Sequence, residues 1–140
     1  MTTPLSVLDL SPVSEGATAR TALRNTVDLA RHAEAWGYKR YWVAEHHFVG
    51  VASSSPAVLV GILAAATSTL RIGAAAVQLG HTTAAAVGGG LGPVDAVYPG
   101  RLDLGLGRSG QRRAEALKAV AERNNQPAPP RRETEIRDGV

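Results

Sequence analysis

The chain has 140 residues, 44% of them hydrophobic and 19% charged, with a formal net charge of +3. That is enough for one domain with a real core, and the balance is that of a globular protein. Cysteine is absent, which excludes disulfides, a thiolate nucleophile and Cys-ligated zinc.

Other classes fall away quickly. The opening "MTTPLSVLDLSP" lacks the basic start and long apolar stretch of a signal peptide. No run of about 18 apolar residues is present, so no membrane span is expected. The lack of cysteine fits a reducing compartment, and a cytoplasmic location is expected. The basic clusters at Arg112–Arg113 and Arg131–Arg132 are short and carry no interleaved aromatics. They read as solvated surface charge, and nucleic acid is not an expected partner.

In chain order, the first apolar run is "LSVLDL" from Leu5, bounded by Pro on both sides, as a buried strand is. A helix is expected to start near Thr18 to Thr21, with Leu23, Val27, Ala30, Ala33 and Trp36 as its apolar stripe. Gly37 stands where a helix-terminating glycine belongs, because glycine enters the left-handed conformation cheaply. "KRYWVAE" from Lys39 is the second strand. Ser55 and Pro56 then mark a helix start, and the body "AVLVGILAAAT" is apolar nearly all round, so heavy burial is expected.

"LRIGAAAVQLG" from Leu70 is the third strand. The segment after it, "TTAAAVGGGLGPVDAVYPG", begins like a helix and meets three consecutive glycines and Pro93. Each interior glycine costs about 1 kcal/mol relative to alanine, so a short, broken or frayed helix is expected. "RLDLGLG" from Arg101 is the fourth strand, and "QRRAEALKAVAERN" after Ser109 is a further helix. Residues 126–140, "QPAPPRRETEIRDGV", read as a proline- and charge-rich linker or disordered tail, leaving residues 1–125 as the folded domain.

Strand–helix alternation implies an α/β fold with a parallel sheet and right-handed crossovers. The pattern fits a small open sheet or the first four βα units of a (β/α)8 barrel, whose full form needs about 250 residues. Periodicity does not choose between them. Ligands in either architecture bind beyond the carboxyl ends of the strands. The candidates there are Asp9 with Ser11; Glu45, His46 and His47; Gln78 to His81; and Gly107, Arg108 and Ser109.

Alternation puts Glu45 and His47 on one side and His46 on the other, a poor arrangement for chelation. No familiar zinc spacing occurs, and no metal is expected. An imidazole working as base or hydrogen-bond donor suits the spacing. The plainer alternative is that the histidines only cap the strand end. In "DLGLGRSG" one strand face is nearly bare of side chains, as where a ligand or another backbone approaches closely. Arg108 beside a helix start would suit a phosphate. A tight turn needing small residues explains the glycines equally well. The "GAAAVQLG" run is a further small-residue surface, against which a flat ring or a helix could lie.

Together, "LSVLDLSPV", "GYKRYWVAEHHF", "LRIGAAAVQLG" and "YPGRLDLGLGRSG", in this order from residue 5 to about 123, resemble the bacterial luciferase-like flavin-dependent monooxygenases. The resemblance implies the N-terminal half of a TIM-type barrel, four βα units with parallel strands. It implies an oxidoreductase using reduced FMN, or in some branches F420, with O2 to oxidise a small organic substrate, here in a truncated form. It assigns acid–base work to His46. Ala75 and Ala76, a pair joined in luciferase by a cis peptide, would lie near the isoalloxazine. Gly107 and Arg108 would belong to the cofactor site, with Arg108 near the flavin phosphate, and Glu45 would buttress the histidines or the strand ends there. "VGGGLG" at 87–92 departs from relatives, which carry a polar and aromatic helix there.

A half-barrel exposes two sheet edges and an apolar interior. Self-association into a homo-oligomer, or association with a second barrel half, is therefore expected. The alternative to an enzyme is a non-catalytic half-barrel that binds flavin weakly or acts as an interaction fragment.

Overall fold

The computed structural model describes residues 3–47, 49–108, 115 and 118. Seven elements alternate: β1 (Ser6–Asp9), α1 (Ala19–Ala35), β2 (Arg40–Val43), α2 (Pro56–Ala66), β3 (Arg71–Gln78), α3 (Ala84–Val97) and β4 (Leu102–Gly107). The strands form one parallel sheet in the order β1-β2-β3-β4. Neighbours in sequence are thus neighbours in space, which is the curling order of a barrel rather than the reversed order of a doubly wound sheet. The start of the helical pattern at Ser109 and the segment 126–140 lie outside the described residues; residues 115 and 118 are helical.

The core lies between the helices and one face of the sheet. Tyr41, Val43, Leu70 and Ile72 pack there against Ala30 and Ala33 of α1 and Leu59, Val60, Leu63 and Ala64 of α2. Fully burying an aliphatic side chain of this size contributes roughly 1.5–3 kcal/mol, so this layer dominates stability. Thr18 caps α1, its hydroxyl accepting from Thr21 N at 3.2 Å. Gly37 leaves the helix at φ 80°.

Three expectations need correction. Trp36 does not complete the buried stripe of α1. It sits at the C-cap, 66% exposed, with its ring 5.4 Å from that of His32. α2 is buried on one side only, since Val58 and Ile62 point outward. And α3 is neither short nor broken: it runs 14 residues through Gly88, Gly89, Gly90, Gly92 and Pro93. Packing on α2 compensates the propensity cost. A Cβ on Gly90 would lie 3.1 Å from that of Ala57, and one on Gly61 would lie 3.3 Å from Val94 Cγ2. The glycines let the two helices approach, and Thr83 caps the start by accepting from Ala86 N at 3.2 Å.

Two side-chain clasps close the amino-terminal end of the sheet. Glu34 on α1 accepts from the main-chain N–H groups of Ser68, Thr69 and Leu70, with bonds of 2.6–3.1 Å. Burial opposes the charge, but these donors and the Thr69 hydroxyl outweigh it and hold the carboxyl at about 2. Arg101, just before β4, donates to Ala64 O at 3.1 Å, to Thr67 O at 2.9 Å and to Leu70 O at 2.9 Å. It thereby satisfies carbonyls that the end of α2 leaves over.

Candidate functional site

The carboxyl ends of the strands gather most of the residues that carry chemistry. β2 pairs with β3 up to Val43↔Ala74. Beyond that point the Ala75–Ala76 peptide is cis, and the β3–β4 register shifts between Ala74 and Val77. Pairing of β2 with β3 ends at Val43, and Glu45 takes over its task. Its Oε2 accepts from Gln78 N at 2.9 Å, while the Gln78 side-chain amide donates back to Glu45 O. Its other oxygen, Oε1, lies 2.6 Å from His47 Nε2. The carboxylate is 5% exposed and fully engaged.

The two histidines have separate situations, as their alternation suggests. His47 is fixed by Glu45 and stacks on His81, with ring centroids 4.2 Å apart and planes at 33°. His46 is held through its backbone, its N–H donating to Ser53 O at 2.9 Å. Its half-buried ring makes no hydrogen bond or ion pair among the described residues. Ser53 in turn donates its hydroxyl to Ala44 O, so the loop after β2 folds back on itself. The loop after β1 straps onto it through Val13 N to Gly50 O at 2.9 Å and Ala52 N to Ser11 O at 2.8 Å.

Ala75 is exposed and Ala76 half-buried at the end of β3. Gly105 lies beside them: a Cβ there would meet Ala74 O at 2.5 Å and Ala75 Cα at 3.6 Å. A Cβ on Gly107 would lie 3.1 Å from that of Ala76. The bare face of β4 is thus explained by close approach of β3. Gln78 is in register with Gly107, and Leu79 N donates to Gly107 O at 3.1 Å. Glu45, Gln78 and Gly107 therefore form a continuous path across three strand ends, and Arg108 follows directly. The Arg108 side chain is exposed and has no partner among the described residues. Its neighbour Ser109 lies outside them.

Asp9 and Ser11 sit on the same rim but are committed to structure. Asp9 faces the helix layer, where Oδ2 accepts from Thr26 Oγ1 at 2.6 Å and Tyr41 OH at 2.7 Å, and Oδ1 accepts from Ser11 N at 2.8 Å. Ser11 Oγ is 2.7 Å from Thr26 Oγ1. Burial, reinforced by the bond to Asp9 and its charge, pushes the Tyr41 phenol up. The sharing of parity by Asp9 and Val7 was the sequence signal for this inward orientation. No group of three or more His, Cys, Asp or Glu able to hold a metal occurs among the described residues.

A planar ring with an anionic tail needs a flat surface, a cation and a polar edge. Ala75 beside Gly105 would supply the first, Arg108, which has no partner among the described residues, the second and the His46 ring the third. These residues fit a flavin mononucleotide.

A family model described as luciferase-like monooxygenase matches residues 3–136. YvbT of Bacillus subtilis, an uncharacterized protein, is 50% identical over 108 residues, covering 76% of this chain and 32% of that one. A luciferase-like monooxygenase of Escherichia coli K12 is 47% identical over 121 residues, covering 84% and 36%. Among solved structures, apo-MsnO8 superposes with a TM-score of 0.77 at 36% identity, over 86% of this chain and 37% of that one. The oxygenating constituent of 3,6-diketocamphane monooxygenase of Pseudomonas putida, solved in complex with FMN, shares the fold at a TM-score of 0.67 and 20% identity, over 74% and 29%. The chain spans about a third of the length of the curated relatives it matches.

Proposed function

The chain belongs to the luciferase-like monooxygenase family, and from that premise we propose that it forms the half-barrel carrying the flavin-facing rim of a flavin-dependent monooxygenase. Reduced FMN, when bound, supplies the electrons with which O2 oxidises a small organic substrate. Arg108 binds the phosphate through charge-assisted hydrogen bonds. The Ala75–Ala76 stretch of β3 with Gly105 offers the ring a surface without bulky side chains. His46 holds or moves a proton at its imidazole nitrogen. Glu45 acts at one remove, by fixing His47 and Gln78 and with them the path of the backbone that presents His46.

One observation carries this reading. His46 and Arg108 stand on the same rim, and neither has a side-chain partner among the described residues, although their neighbours Glu45, His47 and Gln78 are bonded to one another. A titration of the purified chain with FMN, with its mass in solution followed in the same samples, tests it. Saturable binding is expected, and none at millimolar FMN contradicts it. A parallel titration with F420 decides between the two flavin types.

A second reading, a non-catalytic half-barrel, draws on the uncovered sheet face, where Leu8 is 57% exposed. Oxidation of reduced flavin coupled to substrate oxidation separates the two: its absence from a chain that binds FMN favours the non-catalytic unit.

A further inference from the structure

Asp9 is a buried carboxylate that the proposed chemistry does not use. It is 8% exposed, and its Oδ2 is taken by the Thr26 and Tyr41 hydroxyls inside the helix layer. Its other oxygen has a different task. Oδ1 accepts from Ser11 N at 2.8 Å, closing a side-chain turn over residues 9–11. Among the described residues, Ser11 is the one non-glycine residue with a positive φ, at 48°. A residue with a Cβ stays in that conformation only where its surroundings enforce it. Asp9 enforces it at the Ser11 N–H, and Thr26 at the hydroxyl, 2.7 Å away.

The turn aims the Ser11 carbonyl at the loop after β2, where it accepts from Ala52 N at 2.8 Å. The next residue, Ser53, is 1% exposed and grips the end of β2 at two points. Its hydroxyl donates to Ala44 O, and its carbonyl accepts from His46 N at 2.9 Å. A chain of bonds thus runs from Asp9 through Ser11, Ala52 and Ser53 to the backbone of His46. The His46 ring makes no hydrogen bond or ion pair among the described residues, so its placement follows that backbone.

We propose that Asp9 is a positioning residue for His46: by holding Ser11 in its left-handed turn, it anchors in the core the loop that fixes where the imidazole stands. The inference rests on the reading of His46 as the acid–base group. Glu45 ties this strand end to β3, and Asp9 ties it to β1. A carboxylate suits the task because it offers two acceptor oxygens, one for the core hydroxyls and one for the turn. Misplacing a catalytic group by about 1 Å costs on the order of 10²-fold in rate, which is the reason to anchor the loop.

The test reads the imidazole without any flavin, so its failure is distinct from failure of the cofactor reading. Acylation by diethyl pyrocarbonate at fixed pH, resolved site by site by mass spectrometry, gives the rate at His46 relative to His32, whose side chain is 53% exposed. Asp9→Ala should raise that ratio about threefold or more. Exchange of the Ala52 and His46 amides should quicken about tenfold relative to Ile72 N–H, which bonds to Arg101 O in the sheet. Asp9→Asn keeps an oxygen for Ser11 N and should return both readings to within about twofold of wild type. Tyr41→Phe removes a core bond to Oδ2 and leaves the turn, so it should change neither. Ala52→Pro removes the N–H that Ser11 O binds and leaves Asp9 in place. It should quicken His46 acylation as Asp9→Ala does, and it carries the test where Asp9→Ala does not fold. An unchanged His46 in either Asp9→Ala or Ala52→Pro overturns the proposal. So does an equal change in Tyr41→Phe, or an Asp9→Asn that behaves as Asp9→Ala, since Asp9 would then serve the core alone.

Discussion

Glu45 Oε1 lies 2.6 Å from His47 Nε2, and the same carboxylate takes Gln78 N on its other oxygen. One buried side chain thus joins the end of β2 to the end of β3 where the ladder has stopped. Glu45→Ala leaves a buried N–H and an imidazole without their acceptor, a loss of about 1–3 kcal/mol per group. Denaturant unfolding should show a destabilisation of that order. Glu45→Gln, which keeps an acceptor oxygen, should recover part of it.

His46 is the opposite case. Its ring makes no hydrogen bond or ion pair among the described residues, so His46→Ala should leave the unfolding free energy within about 0.5 kcal/mol of wild type. Loss of a positioned acid–base group should lower flavin-coupled substrate oxidation by about 10²–10⁴-fold. A variant that unfolds early yet turns over normally would reverse both assignments.

The glycines divide into two kinds with opposite expected signs. At Gly105 a Cβ would press on Ala74 O at 2.5 Å, backbone that cannot yield cheaply. Gly105→Ala should cost about 1–3 kcal/mol as overpacking does. At Gly88, inside α3, a Cβ meets nothing within 4 Å. Gly88→Ala should stabilise by about 0.5–1 kcal/mol. Thermal melts of the two variants should move in opposite directions.

Glu34 sets an acid limit. With its carboxyl held at about 2 against an ordinary 4.5, its contribution is complete above pH 4.5 and is lost as pH falls toward 2. Glu34→Gln should be less stable than wild type at neutral pH, and the difference between them should shrink across that window. A difference that stays constant from pH 6 to about pH 2.5 would remove Glu34 from the acid response.

Much of this was legible in the residues. Apolar runs bounded by Gly and Pro located every strand, and Thr18, Pro56 and Gly37 marked helix limits that the structure keeps. α3 was misread because propensity is local, whereas the contacts of Gly90 with Ala57 and Gly61 with Val94 are made between helices. Trp36 was misread because it extends the stripe one step past the helix end. At the site, parity separated His46 from His47 correctly. A buttressing role for Glu45 at the histidines or strand ends was expected, but its partner Gln78 was not visible, because that bond depends on the register shift after Ala74, which no single-strand pattern encodes. Asp9 and Ser11 followed the strand-end rule to the rim but spend their polar groups on Thr26 and Tyr41.

The central claim is that Arg108 at the carboxyl rim holds a flavin phosphate, and competition between FMN and riboflavin tests it most directly. Dissociation constants of both ligands should be measured for wild type and Arg108→Ala. A charge-assisted phosphate contact is worth about 1.5–3 kcal/mol, so wild type should prefer FMN by about tenfold or more, and Arg108→Ala should bind the two alike. Equal affinity of wild type for FMN and riboflavin, or an FMN preference that survives in Arg108→Ala, would contradict the account.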